Sequence, residues 1–161
     1  MQISRQPPGM GPLPAEARVS HDWTAADLSV EFPRDLTIPL TATDSVAGAT
    51  LVLLEGEADW IVQDHLSGEL ADFIAVRSAA TIARVDLVHC KKPGGAPATR
   101  VTDIQELLAQ AMRSVYLATS GSQFWAELLH RLNHRAATRV VRGDSQQVST
   151  TVSNWAATPR L

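Results

Sequence analysis

Between Trp60 and Cys90 the chain carries three short runs of apolar and β-branched residues, each closed by turn-forming residues. Runs of this length, bounded by turns, fit strands better than helices. Trp60 to Asp64 ends at His65-Leu66-Ser67-Gly68, and Glu69 to Arg77 ends at Ser78-Ala79-Ala80. Thr81 to Cys90 ends at a lysine pair and the loop Lys92-Pro93-Gly94-Gly95-Ala96-Pro97. Short connections join antiparallel neighbours, so the spacing predicts a three-strand antiparallel meander. Thr50 to Leu54 reads as one further β-type run.

Beyond Pro97 the period changes. Thr102 is placed to cap a helix with Asp103 and Glu106 in its first turn. Ile104, Leu107, Leu108, Ala111 and Val115 recur at helical spacing as one apolar stripe, opposite Glu106, Gln110 and Arg113. A second helix is predicted from Ser122 to His134, burying Phe124, Trp125, Leu128, Leu129 and Leu132. Arg139 to Arg142 reads as a short strand closed by Gly143. Asp144 or Ser145 then caps a last helix with Val148, Val152 and Trp155 on one side. Strands followed by helices predict an α+β or mixed α/β fold, with helices packing on the sheet.

The 161 residues suit a single domain, and 45% hydrophobic content suits a packed core. Residues 1–20 are rich in Pro, Gly and polar groups and read as a flexible arm, leaving 21–158 for the domain. The apolar runs are too short to span a bilayer, and the N-terminus has no apolar secretory core. The one cysteine, Cys90, excludes an internal disulfide and fits a reducing, cytoplasmic setting. The net charge of −3 hides a split. Residues 1–76 balance to −9 and residues 77–142 to +6. A basic face on such a chain points to a polyanion, unless the two halves simply neutralise each other in the fold.

Three constellations carry chemistry. The first is Asp64-x4-Glu69-x2-Asp72, with Lys91 nineteen residues further on. Metal-dependent nucleases use carboxylates to hold a hard divalent ion and a lysine to steady the attacking water and the phosphate charge. The plain alternative pairs Glu69 and Asp72 with Arg77 or Arg84. Along the third strand Val85, Leu87, His89 and Lys91 point one way, and Asp86, Val88 and Cys90 the other. His89 and Cys90 therefore form no nucleophilic pair, and Cys90 reads as a buried structural thiol. The second constellation, Glu106, Gln110 and Arg113, either faces the same cleft or is a solvated helix face. The third, Glu127-x2-His130-x3-His134, alternates with Arg131 and Arg135 and reads as a basic solvated face. No glycine loop followed by Lys-Ser or Lys-Thr is present, so nucleotide hydrolysis is not expected.

The run DHLSGELADFIAVR, followed by IARVDLVHCKKPGGAPATRVTDIQELLAQAMRSVYLA, resembles a domain that follows the motor in some bacterial DEAD/DEAH-box helicases. The resemblance is carried by Asp64, Ser67-Gly68-Glu69, Ala71, Asp72, His89-Cys90-Lys91, Arg100-Val101, Asp103, Gln110-Ala111 and Ser114. The layout is also similar to the restriction-endonuclease-like, PD-(D/E)xK nuclease superfamily. That resemblance implies Asp72 as a metal-holding acid, Lys91 as the catalytic lysine and Gln110 as a substrate-contacting helix glutamine. Glu69 is the candidate second acid. The chain departs from the motif at His89, which stands where the family has glutamate. A neutral histidine ligates transition metals but is a poor ligand for magnesium.

Two functions are therefore expected. One is a nuclease-like domain acting on nucleic acid, DNA ahead of RNA, in association with a helicase. It would use Mg2+ or Mn2+ on Asp72 and Glu69, with Lys92, Gln110 and Arg113 on the backbone. The other keeps the fold without catalysis, as a nucleic-acid or protein docking module of a helicase. A core strand is expected after the second helical region, so either Arg139 to Val141 fills that place or the chain is a truncated fragment.

Overall fold

A computed structural model of the chain describes residues 23, 25–33, 39–41, 43–65, 68–78, 83–92 and 101–158. The expected arm over 1–20 and the loop at Pro93 to Pro97 lie outside these residues.

Ser45 opens the first helix, α1 (Val46–Glu55), by accepting a 3.0 Å hydrogen bond from the Gly48 N–H. Thr50 to Leu54 lies inside α1, which corrects the strand expected there. A short apolar run does not distinguish a buried strand from a buried helix. Here the Ser45 cap and the Val46-Ala47-Gly48-Ala49 lead-in extend the run to ten helical residues.

Four strands follow among the described residues: β1 (Trp60–Asp64), β2 (Phe73–Ser78), β3 (Ala83–Val88) and β4 (Thr138–Arg142). They form one sheet in the order β3-β2-β1-β4, antiparallel at every junction. The three consecutive strands are thus part of a four-stranded sheet, with β4 added beside β1. The second strand begins at Phe73, not Glu69, so Glu69 and Asp72 lie in the connection before it.

Both sheet faces are covered, which is why β1 is buried at every position and β2 at its first four. Trp60, Val62, Ile74, Val76 and Val140 pack with Phe124, Trp125, Leu128, Val148, Val152 and Trp155 from α3 (Ser122–His134) and α4 (Ser145–Ala157). Ile61, Phe73, Ala75 and Val141 pack on the opposite face with Val46, Ala47 and Leu51 of α1. Leu128 is fully buried in the first cluster, and truncating such a side chain to alanine costs about 2–5 kcal/mol. Asp144 caps α4 through the Gln147 N–H at 2.8 Å. Gly143 turns the chain at φ +92°, where a Cβ would stand 2.8 Å from the Trp60 Cβ. The result is a mixed α+β fold.

The remaining helix, α2 (Val101–Thr119), departs from expectation. Thr102 lies within its first turn, not at its cap. Its inward residues are Leu107 and Ser114, with Leu117 and Ala118 packed on the α3–α4 cluster. Ile104, Leu108 and Val115, expected in the core, are 45%, 41% and 53% exposed, and Met112 and Tyr116 are exposed beside them. No helix among the described residues is long and apolar enough to cross a membrane.

Candidate functional site

Antiparallel pairing brings the end of β1, the start of β2, the end of β3 and the start of β4 to one end of the sheet. Gln63 stands opposite both Phe73 and Arg139, and Phe73 opposite Val88. The residues flanking these positions, Asp64, His65, Asp72, His89 and Thr138, therefore converge there. Two buried aspartates organise them.

Asp64 joins β1 to α3 and β4. One of its oxygens accepts from the Leu70 N–H at 2.8 Å and from Arg131 Nη1 at 3.1 Å. The other accepts from the Thr138 hydroxyl at 2.6 Å. Arg131 also donates from Nε to Glu127 at 2.7 Å. Arg131 is buried, which corrects its placement on a solvated face, while His130 and His134 are exposed. Glu127 is thereby engaged with Arg131, away from any shared role with the histidines.

Asp72 joins β2 to β3 and α2. His65 Nδ1 lies 2.8 Å from its Oδ1, and the Cys90 N–H donates to its Oδ2 at 2.8 Å. His89 Nδ1 faces the same Oδ2 at 3.7 Å, beyond hydrogen-bond length. The other His89 nitrogen, Nε2, is 2.7 Å from Ser114 Oγ. Ser114 Oγ also lies against the carbonyls of Leu70 and Gln110. The hydroxyl has one proton and both carbonyls only accept. Nε2 therefore carries its own proton and donates to Ser114. Burial by itself would raise the Asp72 carboxyl, but the bonds from His65 and the Cys90 N–H, with the His89 ring close by, outweigh it and hold it below the ordinary carboxylate value.

The Ser114–His89–Asp72 chain has the order of a nucleophile, base and orienting acid. Its geometry serves packing instead. Ser114 is 2% exposed, its proton is committed to backbone carbonyls, and the chain ties α2 to the sheet end. Cys90 is likewise inert at neutral pH: burial, with the Asp72 charge second, pushes its thiol up to about 12.

The other expected site residues lie around this core. Glu69 and Gln110 do meet, with Gln110 Nε2 donating to Glu69 at 3.2 Å. Neither Glu69 nor Asp72 pairs with Arg77 or Arg84. Arg77 pairs with Glu57 and Asp86, and Arg84 with Asp86. Lys91 sits just beyond β3 and pairs with Glu106 at 3.0 Å and Glu31 at 3.7 Å. Partial burial would lower its ammonium pKa, but Glu106, Glu31 and Asp103 together raise it. The Lys92 N–H donates to Glu31 at 3.1 Å, and the Lys92 and Arg113 side chains are exposed.

These residues do not fit a hard divalent ion. Such an ion takes open carboxylate oxygens in near-octahedral array. Both Asp72 oxygens instead face donors of the protein, and one Glu69 oxygen faces Gln110. Among the described residues no group of three or more His, Cys, Asp or Glu side chains is arranged to hold a metal.

The buried roles of His65, Ser114, Arg131 and Thr138 were not read from the sequence. Two of them had a signal. Phe124, Leu128 and Arg131 share one helical face, as do Leu107 and Ser114, so a polar side chain at either position required a buried partner. The chain matches no family model, no curated protein and no solved structure.

Proposed function

We propose that this chain is a nucleic-acid-binding module with a nuclease-like layout that does not hydrolyse phosphodiesters. One observation carries the non-hydrolytic part: the Asp72 carboxylate, which the motif would give to a metal, is bonded by His65 and the Cys90 N–H and faced by His89. The same His89 stands at the motif's glutamate and is committed to Ser114. Lys91, the motif's lysine, is neutralised by Glu106 and Glu31.

The restriction-endonuclease-like layout is supported by Asp72 before β2, Lys91 after β3, Gln110 on α2 and a strand after α3. Nucleic acid as the ligand is supported by the +6 balance of residues 77–142, with DNA placed ahead of RNA. Association with a helicase, in cis or in trans, rests on the resemblance of residues 64–118.

Two measurements on the full chain test the proposal. Fluorescence anisotropy with labelled single-stranded DNA should show binding that weakens steeply as salt rises. Plasmid and single-stranded DNA incubated with Mg2+ or Mn2+ should remain intact. Cleavage abolished by both Asp72→Ala and Lys91→Ala would restore the metal-dependent nuclease. Absence of binding at low salt would remove nucleic acid as the partner.

A further inference from the structure

Lys92, Gln110 and Arg113 are the nucleic-acid contacts expected from the sequence, but the charge beside them is largely cancelled. Lys91 is held by Glu106 and Glu31, with Asp103 adding to the field, and the Lys92 N–H is on Glu31. The opposite edge of the sheet differs. From Leu128 to Gly143 the chain carries Arg131, Arg135, Arg139, Arg142, His130 and His134, and neither Asp nor Glu. Arg131 turns inward to Asp64. His130, His134, Arg135 and Arg142 are exposed, and Arg139 is partly so.

The backbone brings the three outward arginines to one edge of the sheet. The Thr138 N–H donates to the Arg135 carbonyl at 3.0 Å, so a tight turn delivers Arg135 to the start of β4. β4 is an edge strand. Arg139 stands opposite Gln63 and Arg142 opposite Ile61, with an irregularity between the Ile61 and Val62 pairings. That irregularity leaves both arginines on the α1 side of the sheet. Their partners Gln63 and Ile61 are two residues apart, which sets the two arginines about 7 Å apart along the strand. Arg139 donates to a neutral acceptor, Gln63 Oε1, at 3.3 Å. Arg142 acts on the exposed Asp59, which also accepts from the Ser78 N–H, and the exposed Asp144 follows two residues later, where it caps α4. His130 and His134, with ring centroids 4.7 Å apart, are exposed near the end of α3, and Arg135 follows directly in the chain.

We infer that single-stranded nucleic acid runs along the β4 edge, with phosphates on Arg135, Arg139 and Arg142 and unpaired bases against the exposed imidazoles. This rests on the nucleic-acid-binding reading above and moves the binding surface to the opposite edge of the sheet. The planar guanidinium matches phosphate in two-point contact, and aromatic faces accept unpaired bases without reading sequence.

The test compares two variants of the full chain by anisotropy with labelled oligothymidine across a salt series, after circular dichroism confirms folding. Arg135→Ala/Arg139→Ala/Arg142→Ala should weaken binding by roughly tenfold or more and flatten the log–log salt slope by about 2. Lys92→Ala/Arg113→Ala should change affinity less than about twofold. The reverse ranking overturns the inference and leaves the nucleic-acid reading intact. No binding by the unaltered chain overturns both. Competition by polyglutamate as effective as unlabelled oligothymidine at equal charge overturns the choice of nucleic acid and marks an acidic protein segment as the partner. Should the triple variant not fold, Arg135→Glu alone, in the exposed turn, carries the same comparison.

Discussion

Asp64 and Asp72 lie eight residues apart at the same end of the sheet and are 1% and 3% exposed, yet their surroundings give them different characters. Asp64 is held by a guanidinium, a hydroxyl and a backbone N–H. Asp72 is held by a backbone N–H and an imidazole, and a second imidazole faces it. The first arrangement closes β1, β4 and α3 around an aspartate–arginine pair. The second closes β2, β3 and α2 around a carboxylate whose ionisation its donors favour. An acid at a motif position is thus not yet a ligand; what already bonds to it decides what it can hold.

The contrast can be broken most severely at Arg131. Arg131→Ala strands the buried Asp64 charge and should cost about 3–5 kcal/mol, read from urea unfolding midpoints. Asp64→Asn/Arg131→Met should recover part of that loss, because it removes both charges together. An Arg131→Ala loss no larger than that of an exposed pair would mean that Asp64 is not committed to this clamp.

Asp72→Ala should cost less, about 2–3 kcal/mol, since it removes hydrogen bonds to a charged acceptor without stranding a permanent cation. Its pH dependence sharpens the comparison. The folded carboxyl titrates below its unfolded value, so its contribution is fully present above about pH 3.9, the ordinary Asp value. The contribution is lost as pH falls through the lowered folded pKa. The stability gap between the unaltered chain and Asp72→Asn should therefore be constant near neutrality and narrow in acid. A gap that widens in acid would reverse the assigned direction.

Ser114→Ala comes next, at about 1–2 kcal/mol, because His89 Nε2 and the Leu70 carbonyl lose their shared partner. Ser114→Thr keeps the hydroxyl and should retain part of the stability if it is accommodated beside Leu70. Lys91→Ala should have the smallest effect, within about 1 kcal/mol, because its partner Glu106 is half exposed and solvent screens the pair. A loss at Lys91 matching that at Asp72 would return Lys91 to a central role.

Much of the element order was legible in the chain. The bounds Ser122 to His134 for α3, a cap of α4 at Asp144 or Ser145 and a strand at Arg139 to Arg142 follow from local pattern; the structure puts the cap on Asp144 and starts the strand at Thr138. What pattern could not supply was the covering of each face. α2 and α3 are both amphipathic by sequence, but α3 is enclosed by α4 and the sheet while α2 turns Leu107 and Ser114 inward. Periodicity states which residues share a face, and tertiary packing chooses among the faces. The site was partly legible for the same reason. Glu69 with Gln110 and Lys91 with Glu106 join residues already singled out from the sequence. The groups around Asp72 come from His65, His89 and Cys90, brought together by antiparallel pairing across two hairpins, and no local spacing encodes that convergence.

The most direct test of how Asp72 is used is a calorimetric titration of Mn2+ into the folded chain near neutral pH, beside Asp72→Asn. Two indistinguishable traces are predicted, because the protein's own donors already bond to that carboxylate. A one-to-one binding heat in the unaltered chain that vanishes in Asp72→Asn would contradict the account and return Asp72 to a metal.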